Sequence, residues 1–515
     1  MRPRPRLAVG VALALGCVLV PAAALIAQPS APPNPAKPRP DLRPHVVIVV
    51  LDELPGDNLL GPDGRIDTVR YPSFARLARR AHWFPNASTW STSTKGGVPA
   101  ILDGRQPRRG APATRRAHPV SLYDAMARAG YRIVDGEETS TLCPRRLCAR
   151  SAIPSPPCGN LGCRFRGPGR VARFNRWLAT IRPTRRPTFW VKHLLFPHRP
   201  WIYLPSGRRI QDSRSGHSPI EGLNRLGGPP DEFLRLHHLQ RHLLQLRFTD
   251  RLIGRLLDRL ARRGMFDRTM LVVTSDHGYS FTGGLREHRR LRPVNVHQIA
   301  PIPLLVKLPN QRVGQRHDTY AANADVTPTV AAVAGARLGY VPDAAPLFGE
   351  AVRARQSVSL ADRVGVSLFD YQQQRAAWRE RRLRLFGYGR HGFWDGIGPN
   401  PELVGRRVAG LPRRAAGPLL AEFVSPERLH SVRRASGLVP AQVTGHLRHG
   451  PHRGHHDLAL ALNGRIAAVG RSFYLPGDPT EHFAMTVPPH TLREGVNRLR
   501  LYDVRGRKLR LAGAI

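Results

Sequence analysis

Asp52 directly follows an apolar run, His45 to Leu51 (HVVIVVL), and Asp276-His277-Gly278 closely follows a second, Met270 to Val273. Between them Thr94 opens a glycine-containing turn into another apolar stretch, Thr94 to Gly104 (TKGGVPAILDG). Two carboxylates and an imidazole suit one divalent cation, of the Zn or Mn type by ligand chemistry, with Mg and Ca also in the expected range. A hydroxyl bound as the next ligand has its pKa lowered as metal-bound water does, which makes Thr94 a nucleophile near neutral pH. If Thr94 sits at the first turn of a helix through Val98 to Leu102, the amides of Lys95, Gly96 and Gly97 face an incoming anion, phosphate or sulfate. Lys95 can also bind a phosphoryl oxygen as a point charge.

These residues need a frame that brings distant segments together. Apolar runs followed by acids place the acids at the carboxyl ends of parallel strands, where open α/β sheets collect their ligands. From Pro44 to about Tyr340 strand-like and helical patterns alternate, predicting a mostly parallel sheet with helices on both faces. The clearest helix runs from about His242 to Arg263, with Leu246, Ile253, Leu257 and Leu260 at helical spacing and Gly264 as its stop. Thr188 to Phe196 and Pro301 to Leu308 read as strands, and Asp325 to Ala334 as a helix. His193 alternates with the apolar face of its strand and reads as a satisfied core residue.

The strand-Asp opening, Thr94 ten residues before Gly104-Arg105, the Asp276-His277-Gly278 triplet and Asp325-Val326-Thr327-Pro328-Thr329 together resemble the alkaline phosphatase and sulfatase superfamily. The nearest branch is the sulfatase-like hydrolases and transferases that include lipoteichoic acid synthase and phosphoethanolamine transferases. The resemblance covers roughly Pro44 to Tyr340 and implies a sulfatase-like fold with a single ion held by Asp52, Thr94, Asp276 and His277. It also implies a substrate-contacting histidine from a His-x-Pro-aromatic sequence, here His198 in Pro197-His198-Arg199-Pro200-Trp201. A near-neutral pKa suits His198 to stabilise the transferred group or protonate the leaving oxygen.

Departures from the pattern narrow the chemistry. Sulfatases carry Cys or Ser followed by x-Pro-x-Arg, the signal for formylglycine, whereas this chain reads Thr94-Lys95-Gly96-Gly97-Val98. The second acid after the first strand is Glu53, a ligand or a supporting acid. For a second ion only Asp231 with His237 or His238, and His297, are loose candidates. The expected reaction is a two-step displacement on a phosphodiester or phosphoglycerol ester, through a phospho-threonine intermediate that water or a second alcohol resolves. A sulfuric-ester hydrolase and a catalytically silent envelope-binding protein are the alternatives.

Lys and Arg number 80 against 36 Asp and Glu, a net charge of +44. The arginines are spread along the chain without a basic helix, a Cys/His finger or an aromatic RNA motif, so no specific nucleic acid is expected. Anionic lipid head groups or cell-wall polymers fit such a surface. Arg2, Arg4 and Arg6 precede an uncharged run from Leu7 to Ala27, long enough to cross a bilayer. Pro21 and Ala22-Ala23-Ala24 resemble a signal-peptide end while Leu25 and Ile26 continue the run as an anchor would, so residues 1–27 are a signal peptide or a membrane anchor. Either places the rest outside the cytoplasm, at the cell membrane or secreted. Cys17 is expected to pack within that run. Cys143, Cys148, Cys158 and Cys163 are expected to form two local disulfides in one of three pairings, with a structural zinc site as the rival.

Residues 28–44 read as a proline-rich linker, 45–435 as the catalytic α/β domain and 436–515 as a small β-sandwich. No elements are assigned in 341–435, whose expected contribution is to complete the catalytic sheet. Asp457 to Leu462 and Arg465 to Gly470 flank Asn463-Gly464, a hairpin-turn signal. Ala441 to Arg448, His482 to Val487, Arg498 to Val504 and Lys508 to Leu511 read as the remaining strands.

Overall fold

The computed structural model describes residues 43–148, 169–210, 231–283, 288–389, 392–394, 397–449, 454–506 and 508–515. The signal or anchor segment, most of the linker, Cys17, Cys158 and Cys163 lie outside the described residues. Among those described, no helix is long and apolar enough to cross a membrane.

Strand β1 (His45–Asp52) is buried on both sides, which is why it reads as an unbroken Val/Ile/Leu run. Its side chains divide by parity. Val47, Val49 and Leu51 enter one apolar core, and Val46, Ile48 and Val50 enter another on the opposite face. Six further strands complete the sheet: β2 (His82–Trp83), β3 (Arg132–Gly136), β4 (Thr188–Pro197), β5 (Thr269–Ser275), β6 (Leu304–Lys307) and β7 (Gln315–Arg316). Their order is β3-β4-β1-β5-β6-β2-β7. β3, β4, β1 and β5 run parallel, whereas β6 is antiparallel to both of its neighbours.

Helices cover both faces, as expected. α1 (Pro72–Ala78), α4 (Gly169–Ala179) and α5 (Glu232–Arg262) pack on the first core. On the second lie α2 (Thr94–Asp103), α3 (Leu122–Arg128) and α6 (Val326–Ala334). α5 begins ten residues before the expected His242, with Asp231 capping its first turn by accepting from the Leu234 amide. The early turns escaped the periodicity because His237, His238, Gln240 and Arg241 are buried there. They lie between structural layers, where His237 meets the Gln442 amide (2.9 Å) and Gln240 donates to the Phe393 carbonyl (2.9 Å).

The segment after Tyr340 adds no strand to the seven-stranded sheet among the described residues, contrary to expectation. It supplies helix α7 (Leu368–Phe386), whose Arg375 forms a buried two-pronged ion pair with Asp57 (2.7 and 2.8 Å). Arginine-rich composition hid this helix, because its buried residues are Arg375 and Arg382 beside Tyr371 and Phe386, which form no apolar stripe.

Among the described residues nine strands follow: β8 (Arg413–Arg414), β9 (Leu420–Phe423), β10 (Gln442–Arg448), β11 (Asp457–Leu462), β12 (Arg465–Arg471), β13 (Phe473–Tyr474), β14 (Glu481–Thr486), β15 (Leu499–Arg505) and β16 (Lys508–Ala514). They form a four-stranded sheet, β13-β14-β10-β9, and a five-stranded one, β12-β11-β15-β16-β8. The β11–β12 hairpin turns at Asn463 (φ +52°) and Gly464 (φ +83°), the left-handed pair that its sequence calls for. Leu458, Leu460, Phe483 and Met485 from these sheets share one core with α5 and β1. Cys143 and Cys148 are joined by a disulfide, one of the pairs counted among the expected connectivities.

Candidate active site

The parallel register sets the carboxyl ends of β1, β4 and β5 side by side, with Leu51 paired to both Leu194 and Ser275. An irregularity after Leu51 then shifts the register, so that Asp52 pairs with Pro197 at the end of β4. Glu53 follows at φ +60°, a left-handed conformation that a non-glycine residue rarely adopts outside functional turns. Its amide donates to Asp276 Oδ1 (3.2 Å), which also accepts from the His277 amide (2.7 Å). That leaves Asp276 Oδ2 and both Asp52 carboxylate oxygens buried without hydrogen-bond partners.

His277 is oriented by its own loop. Nδ1 bonds the Gly278 carbonyl (2.8 Å), so the lone pair of Nε2 faces Thr94 Oγ1 at 3.4 Å and Asp276 Oδ2 at 3.4 Å. Thr94 is the first residue of α2 and is buried. The helix start approaches the Asp276 loop so closely that a Cβ on Gly97 would lie 2.5 Å from the Asp276 carbonyl oxygen. Glycine is therefore required there. The amides of Gly96 and Gly97 turn back to the Ser93 carbonyl (3.0 and 2.8 Å), so they do not face an anion as expected. Of the three proposed donors only the Lys95 amide is not spent on that carbonyl.

The donor atoms of Asp52, Asp276 and His277 all lie within 4.8 Å of one another. Burial pushes the Asp52 carboxyl well above its usual range, and the charge of Asp276 pushes it further. Burial lowers His277, keeping its imidazole neutral. Buried carboxylate oxygens without hydrogen bonds beside a neutral, correctly turned imidazole fit a divalent cation, since removing such oxygens from water is otherwise costly. Thus the four residues named as ligands from the sequence do converge.

His193 is not the satisfied core residue that strand alternation predicts. Its Nδ1 bonds Glu137 (2.6 Å) and Thr139 (3.1 Å), and its Nε2 faces Asp52 at 3.5 Å. Burial opposes its protonation, but the Glu137 hydrogen bond and charge outweigh it and raise the pKa to about 9. Glu53 gathers His288 (2.8 Å) and Arg289 (2.7 and 3.0 Å), with His198 at 3.5 Å. Burial would raise Glu53, yet His198, Arg289 and His288 together hold it well below the usual range. His198 is itself buried and neutral, with Nδ1 on the Arg199 carbonyl and Nε2 3.3 Å from Arg289.

Glu137, His288 and Arg289 were missed. His288 and Arg289 sit in an arginine-rich stretch of ordinary appearance for this chain, and Glu137 matters only because β3 lies beside β4. Lys95 is exposed and reaches no group of the buried cluster. It lines an adjoining cleft of about 500 Å³ with Arg108, Arg109, Arg363 and Trp90. Asp231, His237 and His297 do not join the site: Asp231 caps α5, His237 meets Gln442, and His297 meets Gln374 and Gln298. Arg105 stacks over Tyr340 (4.6 Å) and Asp325 pairs with Arg355, both structural contacts.

Residues 44–336, the part of the chain that builds this site, match the family model described as Sulfatase. The chain belongs to the sulfatase family. Members of this family of ester hydrolases use a metal ion, for which the Asp52, Asp276 and His277 group supplies candidate ligands. An endo-4-O-sulfatase of Bacteroides thetaiotaomicron is 21% identical over 167 residues, and the match spans 32% of this chain and 32% of that relative. Among solved structures, the phosphonate monoester hydrolase of Agrobacterium radiobacter is similar at 16% identity and a TM-score of 0.45, covering 61% of this chain and 78% of that one. That of Silicibacter pomeroyi is similar at 17% identity and a TM-score of 0.42, with the same coverage of 61% and 78%.

Proposed function

We propose that this sulfatase-family chain cleaves or transfers phosphate esters of the phosphodiester or phosphoglycerol type, on anionic envelope lipids or polymers, through a phospho-threonine at Thr94. The observation that carries the reading is Thr94 Oγ1 lying 3.4 Å from a lone-pair-bearing His277 Nε2, in one site with the Asp52 carboxylate oxygens and Asp276 Oδ2, which lack hydrogen bonds. A divalent ion of Mn, Zn, Mg or Ca type, held by these four residues, would supply a lowered Thr94 pKa and neutralise developing negative charge.

The chain's own groups account for the rest. Thr94 Oγ gives up its proton and forms the bond to phosphorus as the bond to the leaving alcohol breaks, and that proton passes to the leaving oxygen. Water or a second alcohol then attacks phosphorus, Thr94 leaves, and the proton of the incoming oxygen returns to Thr94 Oγ. His198 is positioned beside Arg289 and Glu53 to carry that proton at Nε2 in both steps. The cleft lined by Lys95, Arg108, Arg109 and Arg363 favours a substrate with further negative charge. Threonine in place of the Cys/Ser-x-Pro-x-Arg signal favours phosphorus over sulfur. The runner-up is sulfate-ester hydrolysis, supported by the likeness to an endo-4-O-sulfatase. Export, through the residue 1–27 segment as anchor or cleaved signal, belongs to the same proposal, as does the branch that includes lipoteichoic acid synthase.

The test is a side-by-side assay of aryl phosphate monoester, phosphodiester and sulfate ester with each of the four metals. Metal-dependent diester turnover with acid-stable phosphate on Thr94 supports the proposal. Sulfate-ester turnover alone overturns it.

A further inference from the structure

A second constellation of metal-ligand type lies in the C-terminal sheets and takes no part in the chemistry above. His449 directly follows β10, His456 directly precedes β11, and Glu481 is the first residue of β14. Their donor atoms all lie within 4.8 Å of one another. His449 Nε2 is 2.5 Å from Glu481 Oε2, and His456 Nδ1 is 2.8 Å from Glu481 Oε1. His456 and Glu481 are buried, and His449 is partly open to solvent.

The backbone fixes this convergence. Glu481 is in register with Leu447 on one side and Tyr474 on the other, which brings the end of β10 to its carboxylate. His456 is tied to Ser472, its amide donating to Ser472 Oγ (2.7 Å) and its carbonyl accepting from the Ser472 amide (3.0 Å). Three ligands are thus presented from three strand ends before any ion arrives. Two imidazoles and one carboxylate form a donor set characteristic of zinc, with a fourth position left for water. Ligands about 2.0–2.1 Å from a tetrahedral ion lie roughly 3.3 Å apart, a spacing within the 4.8 Å that encloses these donor atoms.

We propose that His449, His456 and Glu481 bind one divalent cation of the zinc class, which clips the ends of β10, β11 and β14 together. This site is independent of the Thr94 centre. The assay is zinc content per folded full-length chain after equilibration with zinc and gel filtration, for wild type, His449→Ala and Glu481→Gln. His449→Ala removes a partly exposed ligand and is expected to fold; Glu481→Gln keeps the shape of the buried acid. One zinc fewer per chain in folded His449→Ala than in wild type, with the same deficit in Glu481→Gln where it folds and an anomalous zinc peak among the three side chains in crystals of the wild type, supports the site. Equal zinc content in wild type and His449→Ala, including none in either, overturns it. A failure at the Thr94 centre lowers all three values alike and leaves this difference unchanged.

Discussion

Thr94 and His277, 183 positions apart in the chain, meet with Oγ1 and Nε2 3.4 Å apart. The helix start that carries Thr94 and the strand end that carries His277 are joined by the close approach of Gly97 to the Asp276 carbonyl. Thr94→Ala should reduce phosphodiester turnover by at least about 10³-fold, the scale of removing a nucleophile. Thr94→Ser should keep measurable turnover, with folding of both variants checked by circular dichroism. Equal activity in wild type and Thr94→Ala would refute a nucleophilic role.

Asp52 gives the metal-free protein a distinctive pH response. Burial and the neighbouring Asp276 charge raise its pKa well above the ordinary value. A carboxyl whose folded pKa exceeds its unfolded one stabilises the fold fully below the unfolded pKa of about 3.9, and that contribution is lost as pH rises through the folded pKa. Chelated wild type should therefore lose melting temperature relative to chelated Asp52→Asn as pH rises from 4 towards neutral. Adding the divalent ion should reverse the order at neutral pH, because only wild type binds it fully. Melting both proteins with and without metal checks this; identical responses to metal would exclude Asp52 as a ligand.

Arg375 ties α7 to the turn after β1 through Asp57 and to the segment after β2 through Asn86 and the Pro85 carbonyl. Arg375→Ala leaves Asp57 buried and unpaired, and should cost about 3–5 kcal/mol in a denaturant titration. A loss under about 1 kcal/mol would mean that solvent already reaches Asp57.

Asp250, on α5, caps α1 by accepting from the Ser73 and Phe74 amides (3.0 and 2.9 Å). Burial raises its pKa to about 6. Its contribution to stability is complete below pH 4 and fades as pH rises through 6, so wild type should lose roughly 2–3 kcal/mol relative to Asp250→Asn between those limits. Paired urea titrations at pH 4, 5, 6 and 7 measure the difference, and a flat difference would contradict it.

The amino-acid sequence by itself determined the parts whose signal is local. β1, β4 and β5 are apolar runs because strands buried on both faces must be, and an acid, a histidine or a proline after each run marks where the strand leaves the sheet. Asp52, Asp276, His277 and His198 were therefore visible at those exits, Thr94 at the start of its own apolar helix, and Asn463-Gly464 marked its own hairpin. Tertiary structure alone decided what stands between them. His193 reads as core by strand parity, yet the β3-β4-β1 order turns its Nε2 to Asp52 and places Glu137 behind it. His288 and Arg289 reach Glu53 across more than two hundred residues, and Arg375 reaches Asp57 across still more. Periodicity reports which face a side chain takes on its own element. Which charged group waits on that face depends on sheet order and helix packing, and no short window of sequence contains those.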